Sequence, residues 1–326
     1  MSQIALIGCG QWGMNHLRIW NELGCLKAVA DVAPGSLTKV KAAFPLLEVC
    51  ADPSLIMKRA DIDAVVIVSP ASTHASLTLK ALESGKDVLV EKPMALTVRD
   101  AERMTKTANR LKRILMVGHV LEFHPAIEAL KKMIQEGKLG TIRYAYSNRL
   151  NFGRIRTEEN SLWSFAPHDI AILLRLFGKE PQAVGCTGGA YLNEAISDVS
   201  LTSLSFKGNI HAHIFVSWLH PYKVQRLVII GDKQMAVFDD TKPWPEKLLL
   251  YSHTVEWNEK NIPLARKAES VPVPLPEKEP LRLECEHFLC CIQNRSRPLT
   301  DGESGVRVLK VLEKAQKSYD RKGAIV

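Results

Sequence analysis

The chain has 326 residues, 46% hydrophobic and 24% charged, an ordinary composition for a globular protein of one large or two medium-sized domains. It contains no run of about 18 apolar residues, the length that a transmembrane helix needs. The formal net charge of +8 is spread along the sequence rather than concentrated, which disfavours nucleic-acid binding. We expect a cytoplasmic protein with no membrane partner, because the sequence begins with a strand-like segment and no basic leader.

The cysteines and histidines predict neither disulfides nor a metal site. The seven cysteines are odd in number and scattered, and none has the paired CxxC spacing of a zinc or redox motif. His211, His213 and His220 lie along or just past one predicted strand, without an acidic partner at ligand spacing. We therefore expect reduced thiols and no bound metal.

The first 120 residues alternate short apolar runs with amphipathic segments. The apolar runs are IALIG, LKAVAD, AVVIVS, KDVLVE and ILMVGH, and two of the intervening helices are predicted to begin at Trp12 and Pro34. Such alternation predicts a parallel sheet whose strands are joined by helices on both faces. We predict an α/β domain over residues 1–122.

From about Thr141 onward the apolar residues alternate with polar ones, the pattern of β-strands. The predicted strands are TIRYAYSNRLN, PQAVGCTGGAY, DVSLTSLSF, NIHAHIFVSWL, KVQRLVIIG and QMAVFDD. Short turn signals such as Lys207-Gly208-Asn209 join several of them. Residues 123–326 are therefore predicted to form an α+β domain with a large, mainly antiparallel open sheet.

Three helices and one long loop complete the prediction for the second domain. SLWSFAPHDIAILLRLFG has helical periodicity and ends at Gly178, and two helices near residues 281–293 and 303–319 close the chain. Five prolines between Asn258 and Pro280 predict an extended loop with at most a short edge strand. Because few helices remain to cover both faces of the sheet, we expect a homodimer or homotetramer.

The strongest motif is the GxGxxG pattern of Gly8, Gly10 and Gly13, which lies between a predicted strand and a predicted helix. Glycines at these positions permit a tight turn, close approach of a pyrophosphate, and packing of the helix on the strand. The helix N-terminus adds amide donors and partial positive charge. The motif predicts a dinucleotide-binding Rossmann domain, and we include Gln11 and Trp12 among its cofactor residues.

Asp31 ends the second predicted strand about 20 residues further on. A carboxylate at this position accepts hydrogen bonds from the hydroxyls of the adenosine ribose. Asp31 is followed by Val32 and Ala33, so no arginine is present to neutralise a 2′-phosphate. NAD is therefore predicted in preference to NADP.

Three further motifs follow the glycine motif in a fixed order: Ser69-Pro70 with Thr73-His74, Glu91-Lys92-Pro93, and Pro167-His168-Asp169. With them the sequence resembles the Gfo/Idh/MocA family, whose members oxidise or reduce sugars, inositols and sugar nucleotides. The resemblance covers nearly the whole chain. It implies that the following residues also bind the cofactor: Ser69, Pro70, His74, Glu91 and Lys92.

The resemblance places Lys92 and His168 at the nicotinamide. Oxidation of a secondary alcohol needs a base for the hydroxyl proton, and an ammonium group favours the alkoxide as it develops. We predict His168 as the base and Lys92 as its electrostatic partner. The sequence departs from many relatives at Ser164, where they have an aspartate, and Asp169 is a candidate substitute.

Two segments resemble the sugar-nucleotide branch of the family, and most closely the UDP-N-acetylglucosamine 3-dehydrogenases that supply an aminotransferase. They are NRLNFGRIRTEENSLWSFAPHDI and GHVLEFHPA. The resemblance implies NAD-dependent oxidation of the sugar 3-hydroxyl in amino-sugar, lipid A or surface-polysaccharide biosynthesis. The predicted substrate residues are His119, Glu122, Arg154, Arg156, Trp163 and Asp169.

Several alternatives remain open at the level of sequence. Arg154 and Arg156 match the geometry of a diphosphate, but a solvated pair of loop arginines explains them almost equally well. Trp163 lies either over a ring of the ligand or in the core. The substrate is otherwise a UDP-uronic acid, a free sugar or an inositol. A non-catalytic, NAD-dependent sensor or regulator is the alternative from another functional class.

Overall fold

A computed structural model of the chain describes residues 2–153, 155–157 and 159–326. The chain divides into two compact units. The first extends to Phe123 and includes Glu279–Lys310, and the second comprises His124–Lys278 and Val311–Val326. The predicted division at residue 122 placed every later residue in the second domain. The structure differs there, because Glu279–Lys310 contributes apolar side chains to the core of the first unit.

The first unit is built on a six-stranded parallel sheet. Its elements are β1 (Ile4–Ile7), α1 (Gln11–Glu22), β2 (Leu26–Ala30), α2 (Pro34–Ala43), β3 (Glu48–Cys50), α3 (Pro53–Met57), β4 (Ala64–Ile67), α4 (Ala71–Glu83), β5 (Asp87–Glu91), α5 (Val98–Leu111), β6 (Leu115–Gly118) and a 3₁₀ turn (Val120–Phe123). The strand order is β3-β2-β1-β4-β5-β6, with parallel pairing throughout. The predicted α/β domain is confirmed.

This strand order places the ligand crevice of the first unit. The order reverses between β1 and β4, and in open parallel sheets ligands bind at such a reversal, beyond the carboxyl ends of the strands. All four residues of β1 and of β4 are buried, which explains why both read as continuous apolar runs. Residues that directly follow β1, β2, β4, β5 and β6 are therefore the candidates for a site.

Helix α8 (Pro280–Asn294) explains why the chain returns to the first unit. Its Phe288 packs edge-on against Trp20 of α1, with ring centroids 6.2 Å apart, and both side chains are fully buried. Just after the helix, the Arg295 guanidinium donates two hydrogen bonds, of 2.6 and 3.1 Å, to the carboxylate of Asp87 on β5. The apolar side of α8 thus completes the core around α1.

The second unit is built on an eight-stranded sheet. Its elements are α6 (Pro125–Gln135), β7 (Ile142–Leu150), α7 (Ser161–Phe177), β8 (Ala183–Gly189), β9 (Val199–Phe206), β10 (Ile210–Ser217), β11 (Val224–Gly231), β12 (Met235–Asp239), a 3₁₀ turn (Trp244–Glu246), β13 (Leu248–Tyr251), β14 (Thr254–Trp257), β15 (Pro263–Arg266) and β16 (Ser270–Pro272), and α9 (Gly302–Asp320) ends in it. The order is β16-β13-β12-β11-β7-β10-β9-β8, in which β7 and β10 pair in parallel and the other neighbours are antiparallel. The predicted, mainly antiparallel sheet is confirmed.

The two faces of this sheet differ. Buried and less buried residues alternate along β9 and β10, and α7 packs against β7, β9 and β10. On the other face Tyr144 and Leu201 remain 43% and 40% exposed, and Tyr146 stacks on His213 with ring centroids 5.3 Å apart. One face thus retains half-exposed aromatic and aliphatic side chains.

The proline-rich segment contains more regular structure than the sequence predicts. Strand β16 pairs with β13 as the expected short edge strand, but β14 and β15 also form a separate two-stranded hairpin. The prediction of one edge strand at most is therefore wrong. Pro263 begins β15 and Pro272 ends β16, and prolines are tolerated at strand ends and sheet edges because few ladder donors are needed there. Of the described helices, none has the length and apolarity to cross a bilayer.

Candidate active site

The turn between β1 and α1 has the form that a dinucleotide phosphate requires. Gly8 has a φ of +95°, and a Cβ there would lie 2.7 Å from the carbonyl oxygen of Val68. A Cβ at Gly13 would lie 2.3 Å from the carbonyl oxygen of Gly8. At Gly10, by contrast, no described atom lies within 4 Å of a Cβ position. The backbone is therefore open where α1 begins, as close approach of a pyrophosphate demands.

Asp31 fixes this turn to the end of β2. Its Oδ2 accepts a hydrogen bond of 2.7 Å from the Cys9 amide, and its Oδ1 accepts one of 2.8 Å from the Ala33 amide. Burial and the neighbouring Asp31 raise the pKa of the Cys9 thiol to about 12, so this cysteine stays protonated near neutral pH. Asp31 is partly exposed and retains acceptor capacity for ribose hydroxyls.

His74 is tied to backbone carbonyl groups. Its ring nitrogens lie 2.8 Å from the carbonyl oxygens of Pro93 and Ser69, and the side chain is buried. Burial lowers its pKa, although both carbonyls act in the opposite direction. The Ser69 hydroxyl lies 2.6 Å from that of Thr73. His74 thus joins the loop after β4 to the loop after β5, and its predicted contact with the cofactor stays a prediction.

Glu91, at the end of β5, accepts hydrogen bonds from three different donors. Its Oε1 accepts hydrogen bonds from Trp12 Nε1 at 2.7 Å and from His16 Nε2 at 2.9 Å, and its Oε2 accepts one of 3.1 Å from the Lys92 amide. Burial alone would raise the pKa of Glu91, but these hydrogen bonds and the charges of His16 and Lys92 outweigh it and lower the pKa. Glu91 is therefore a buried anion that joins α1 to the backbone of Lys92.

His119 and Glu122 follow β6, and both are almost completely buried. Burial lowers the pKa of His119 to about 4; Glu91 opposes this shift and Lys92 adds to it. His119 is therefore neutral near pH 7. Within the first unit the structure thus brings together Trp12, Glu91, Lys92 and His119.

Helix α7 carries the predicted residues of the second unit. The side chain of Asn160 caps the helix by accepting a hydrogen bond of 3.0 Å from the Trp163 amide. Trp163 Nε1 and Asn160 Nδ2 both donate to Gln316 Oε1, at 3.0 and 2.9 Å. Trp163 is thus anchored to α9 through its only polar side-chain atom, and His168, partly buried, lies further along the same helix.

Asp169 forms a buried ion pair with Arg149 of β7. It is buried, and Arg149 Nε and Nη2 donate hydrogen bonds of 2.8 and 3.0 Å to its two carboxylate oxygens. The Ser147 hydroxyl donates a third, of 2.6 Å. Burial disfavours the charge of Arg149, but Asp169 outweighs this and raises the pKa of the guanidinium. Asp169 therefore attaches α7 to β7, and its predicted contact with substrate stays a prediction.

The predicted arginine pair is only partly described. Arg154 lies outside the described residues. Arg156 forms an ion pair of 2.6 Å with Glu159 in the same loop, and its side chain is 40% exposed. To bind a diphosphate, Arg156 would exchange this carboxylate for phosphate oxygens.

Four residues of these networks were missed at the level of sequence: His16, Gly118, Arg149 and Glu284. A Cβ at Gly118 would lie 2.8 Å from Glu91 Oε1, so the glycine makes room for that carboxylate. His16 follows Trp12 by one helical turn, and this i, i+4 spacing was a usable signal. Glu284 of α8 lies beside His16 and Glu91 in the structure. In the sequence it is far from any motif, and no local signal identifies it.

Comparisons with known proteins cover both units. Residues 2–119 match a family model described as "Oxidoreductase family, NAD-binding Rossmann fold". Residues 127–237 match a second model, "GFO/IDH/MocA C-terminal domain".

Two relatives, one of them compared by sequence and by structure, illustrate the range of similarity. A UDP-N-acetylglucosamine 3-dehydrogenase from Acidithiobacillus ferrooxidans is 27% identical over 93% of this chain and 93% of its own length. A solved structure of that organism's enzyme has a TM-score of 0.85 at 24% identity and covers 98% of each chain, which establishes a shared fold. A 2,7-anhydro-N-acetylneuraminate hydratase from Mediterraneibacter gnavus is 28% identical over 64% of this chain, and the match spans 59% of that protein.

The position of Asp31 leads to a prediction about cofactor choice. Replacing Asp31 by Ser and Val32 by Arg removes a carboxylate that repels a 2′-phosphate and adds a guanidinium that binds one. Val32 is 79% exposed, so the arginine needs no repacking. We expect the ratio of NADPH to NADH affinity to rise by about tenfold or more, since hydrogen bonds to charged groups contribute about 1.5–3 kcal/mol.

Fluorescence titration with NADH and NADPH measures this ratio. Val32→Arg alone is the matched control, because it adds the guanidinium while both oxygens of Asp31 keep accepting from the Cys9 and Ala33 amides. A wild-type protein that already binds NADPH more tightly than NADH would contradict the assignment of Asp31.

Proposed function

Because the chain belongs to the Gfo/Idh/MocA oxidoreductase family, we propose that it is a dehydrogenase that oxidises the 3-hydroxyl of UDP-N-acetylglucosamine to the 3-keto sugar. The family is NAD-binding, and the open turn at Gly10 fits that cofactor. The main support for the substrate is the similarity to the Acidithiobacillus ferrooxidans 3-dehydrogenase, which extends over 93% of both chains. A 3-keto sugar is the carbonyl substrate that an aminotransferase needs, so we place the reaction upstream of one in amino-sugar, lipid A or surface-polysaccharide biosynthesis.

We propose Lys92 and His168 as the catalytic residues. NAD, when bound, would supply the acceptor for the hydride that leaves carbon 3. His168 takes the hydroxyl proton, and the Lys92 ammonium stabilises the negative oxygen as it forms. The position of each residue is held by a hydrogen-bonded carboxylate. Glu91 accepts from the backbone amide of Lys92. The ion pair between Arg149 and Asp169 attaches the helix that carries His168 to β7.

The other histidines of the predicted site suit the role of base less well. His119 has a pKa of about 4, so it accepts a proton poorly near neutral pH. Both ring nitrogens of His74 lie against carbonyl oxygens. His168 therefore remains the base that the resemblance implies. We further propose that Arg154 and Arg156 bind the diphosphate and that Trp163 lines the sugar site.

The half-exposed face of the second unit's sheet supports a proposal on assembly. Tyr144 and Leu201 lie on it, and apolar faces of this kind are usually buried in an interface. We propose that the protein is a homodimer or homotetramer that buries this face between subunits. Light scattering at micromolar concentration tests this, and a monomer would count against it.

Ligand screening separates the proposed substrate from the alternatives. A ligand that binds the native state raises the free energy of unfolding by mass action, by about 2.7 kcal/mol at 100 times its Kd. The melting temperature rises with it. We expect UDP-N-acetylglucosamine to raise it in the presence of NADH. A rise in melting temperature with UDP-uronic acids, free sugars or inositols alone would replace the proposed substrate by that ligand. A rise in melting temperature without any formation of NADH from NAD would favour the non-catalytic sensor.

The catalytic assignment leads to a prediction on turnover. Removing a positioned general base costs about 100-fold to 10,000-fold in rate, so His168→Ala is expected to fall in that range while NAD binding is kept. Lys92→Met keeps the shape of the side chain without its charge and should lose turnover comparably. The double variant should be little slower than either single one if the two residues act as a unit.

The pH dependence provides an internal check on this assignment. Wild-type turnover should rise with pH as the histidine loses its proton, and the profile should flatten in His168→Ala. His253→Ala is a matched control in the same unit, because His253 follows β13 and lies neither on α7 nor on the half-exposed sheet face. Near-wild-type turnover of His168→Ala at saturating NAD would remove His168 from the mechanism.

A further inference from the structure

Three buried ionisable side chains meet inside the first unit. Nitrogen and oxygen atoms of His16 on α1, Glu91 at the end of β5 and Glu284 on α8 lie within 4.8 Å of one another, and both His16 and Glu284 are 0% exposed. The mechanism proposed above makes no use of Glu284. A carboxylate that is buried without compensation costs several kcal/mol, so its presence needs a physical account.

The two carboxyl groups have very different hydrogen-bond partners. Glu91 accepts three hydrogen bonds, from the side chains of Trp12 and His16 and from the amide of Lys92. Among the described residues, neither oxygen of Glu284 has a hydrogen-bond partner. When two carboxyl groups share a site, one retains a proton. Because the donors surround Glu91, Glu91 is the anion and Glu284 carries the proton.

The charges around Glu284 act in the same direction. Burial raises its pKa well above the usual glutamate range, and the charges of Glu91 and of Glu122 from the 3₁₀ turn raise it further. Other titratable groups at the cluster are His16 on α1, Lys92 after β5, His119 after β6 and Cys285 on α8 itself.

A divalent cation is the competing occupant, since a histidine and two glutamates form an acceptable ligand set. The hydrogen bonds argue against it. His16 Nε2 lies 2.9 Å from Glu91 Oε1, so this nitrogen directs a hydrogen, rather than a lone pair, at the carboxylate. The same oxygen already accepts the Trp12 N–H. A proton therefore neutralises the cluster better than a metal does.

We propose that Glu284 is a positioning residue for the catalytic lysine: as a neutral acid it packs against the pair formed by Glu91 and His16, and thereby fixes Glu91 and the backbone of Lys92. This inference rests on the proposed role of Lys92. The charge state of Glu284 is testable without any substrate.

The first test is urea unfolding of the full chain between pH 5 and pH 8. Above the ordinary glutamate pKa of about 4.3 the unfolded chain releases a proton that folded Glu284 keeps, so wild-type stability falls as pH rises. Glu284→Gln mimics the neutral acid and lacks this loss. The ratio of the wild-type to the Glu284→Gln unfolding constant should rise about tenfold per pH unit until the raised pKa is reached.

Glu286→Gln is the matched control, because Glu286 is an exposed glutamate on the same helix. The ratio of the wild-type to the Glu286→Gln unfolding constant should stay nearly constant with pH. A constant ratio for Glu284→Gln as well would show that Glu284 is ionised normally and would overturn the proposal. One equivalent of zinc or manganese in purified wild-type protein, absent from Glu284→Gln, would overturn it in favour of a metal site.

The second test concerns position. Glu284→Gln should keep kcat within about threefold of wild type, whereas Glu284→Ala should lose about 100-fold, as expected when a reacting group moves by about 1 Å. Loss of turnover in Glu284→Gln equal to that in Glu284→Ala would contradict the role of the neutral acid. If the proposed substrate is wrong, neither wild type nor any Glu284 variant turns it over, but the ratios of the unfolding constants still change with pH as predicted. A wrong substrate is therefore distinguishable from a wrong charge state of Glu284.

Discussion

The hydrogen bonds that hold the Glu91 carboxylate are the constraint on which the first unit's site depends. A buried carboxylate is tolerated only where donors compensate for its lost hydration, and here Trp12, His16 and the Lys92 amide supply them. These donors come from the helix that follows the glycine turn and from the loop after β5. The position of the dinucleotide turn and the position of Lys92, the proposed catalytic lysine, are therefore linked through one anion.

In the second unit an arginine compensates for the lost hydration of a buried carboxylate. Arg149 and Asp169 are both buried, and their bidentate contact joins β7 to α7 beside His168. Breaking such a pair by removing one partner typically costs about 3–5 kcal/mol, because the other charge is left buried and unpaired. In both units a buried, hydrogen-bonded carboxylate thus holds the element that carries a proposed catalytic residue.

The sequence predicted the architecture because its signals are local. Buried parallel strands read as apolar runs, and the turn at Gly8 needs glycine for reasons of backbone geometry. The buried networks were not predictable in this way. Asp169 directly follows His168 on α7, yet its partner Arg149 lies 20 residues earlier, on strand β7. Glu284 is separated from Glu91 by nearly 200 residues, and only the return of α8 to the first unit brings them together.

The transfer of deuterium from carbon 3 tests the central claim most directly. UDP-N-acetylglucosamine labelled with deuterium at carbon 3 is incubated with the protein and NAD, with an aminotransferase added to remove the 3-keto product, and the reduced cofactor is analysed by mass spectrometry. We predict one deuterium per reduced nicotinamide and a rate of formation that depends on His168 and Lys92. Reduced nicotinamide without deuterium would show that another carbon is oxidised, and the absence of reduction while other sugars react would contradict the proposed substrate.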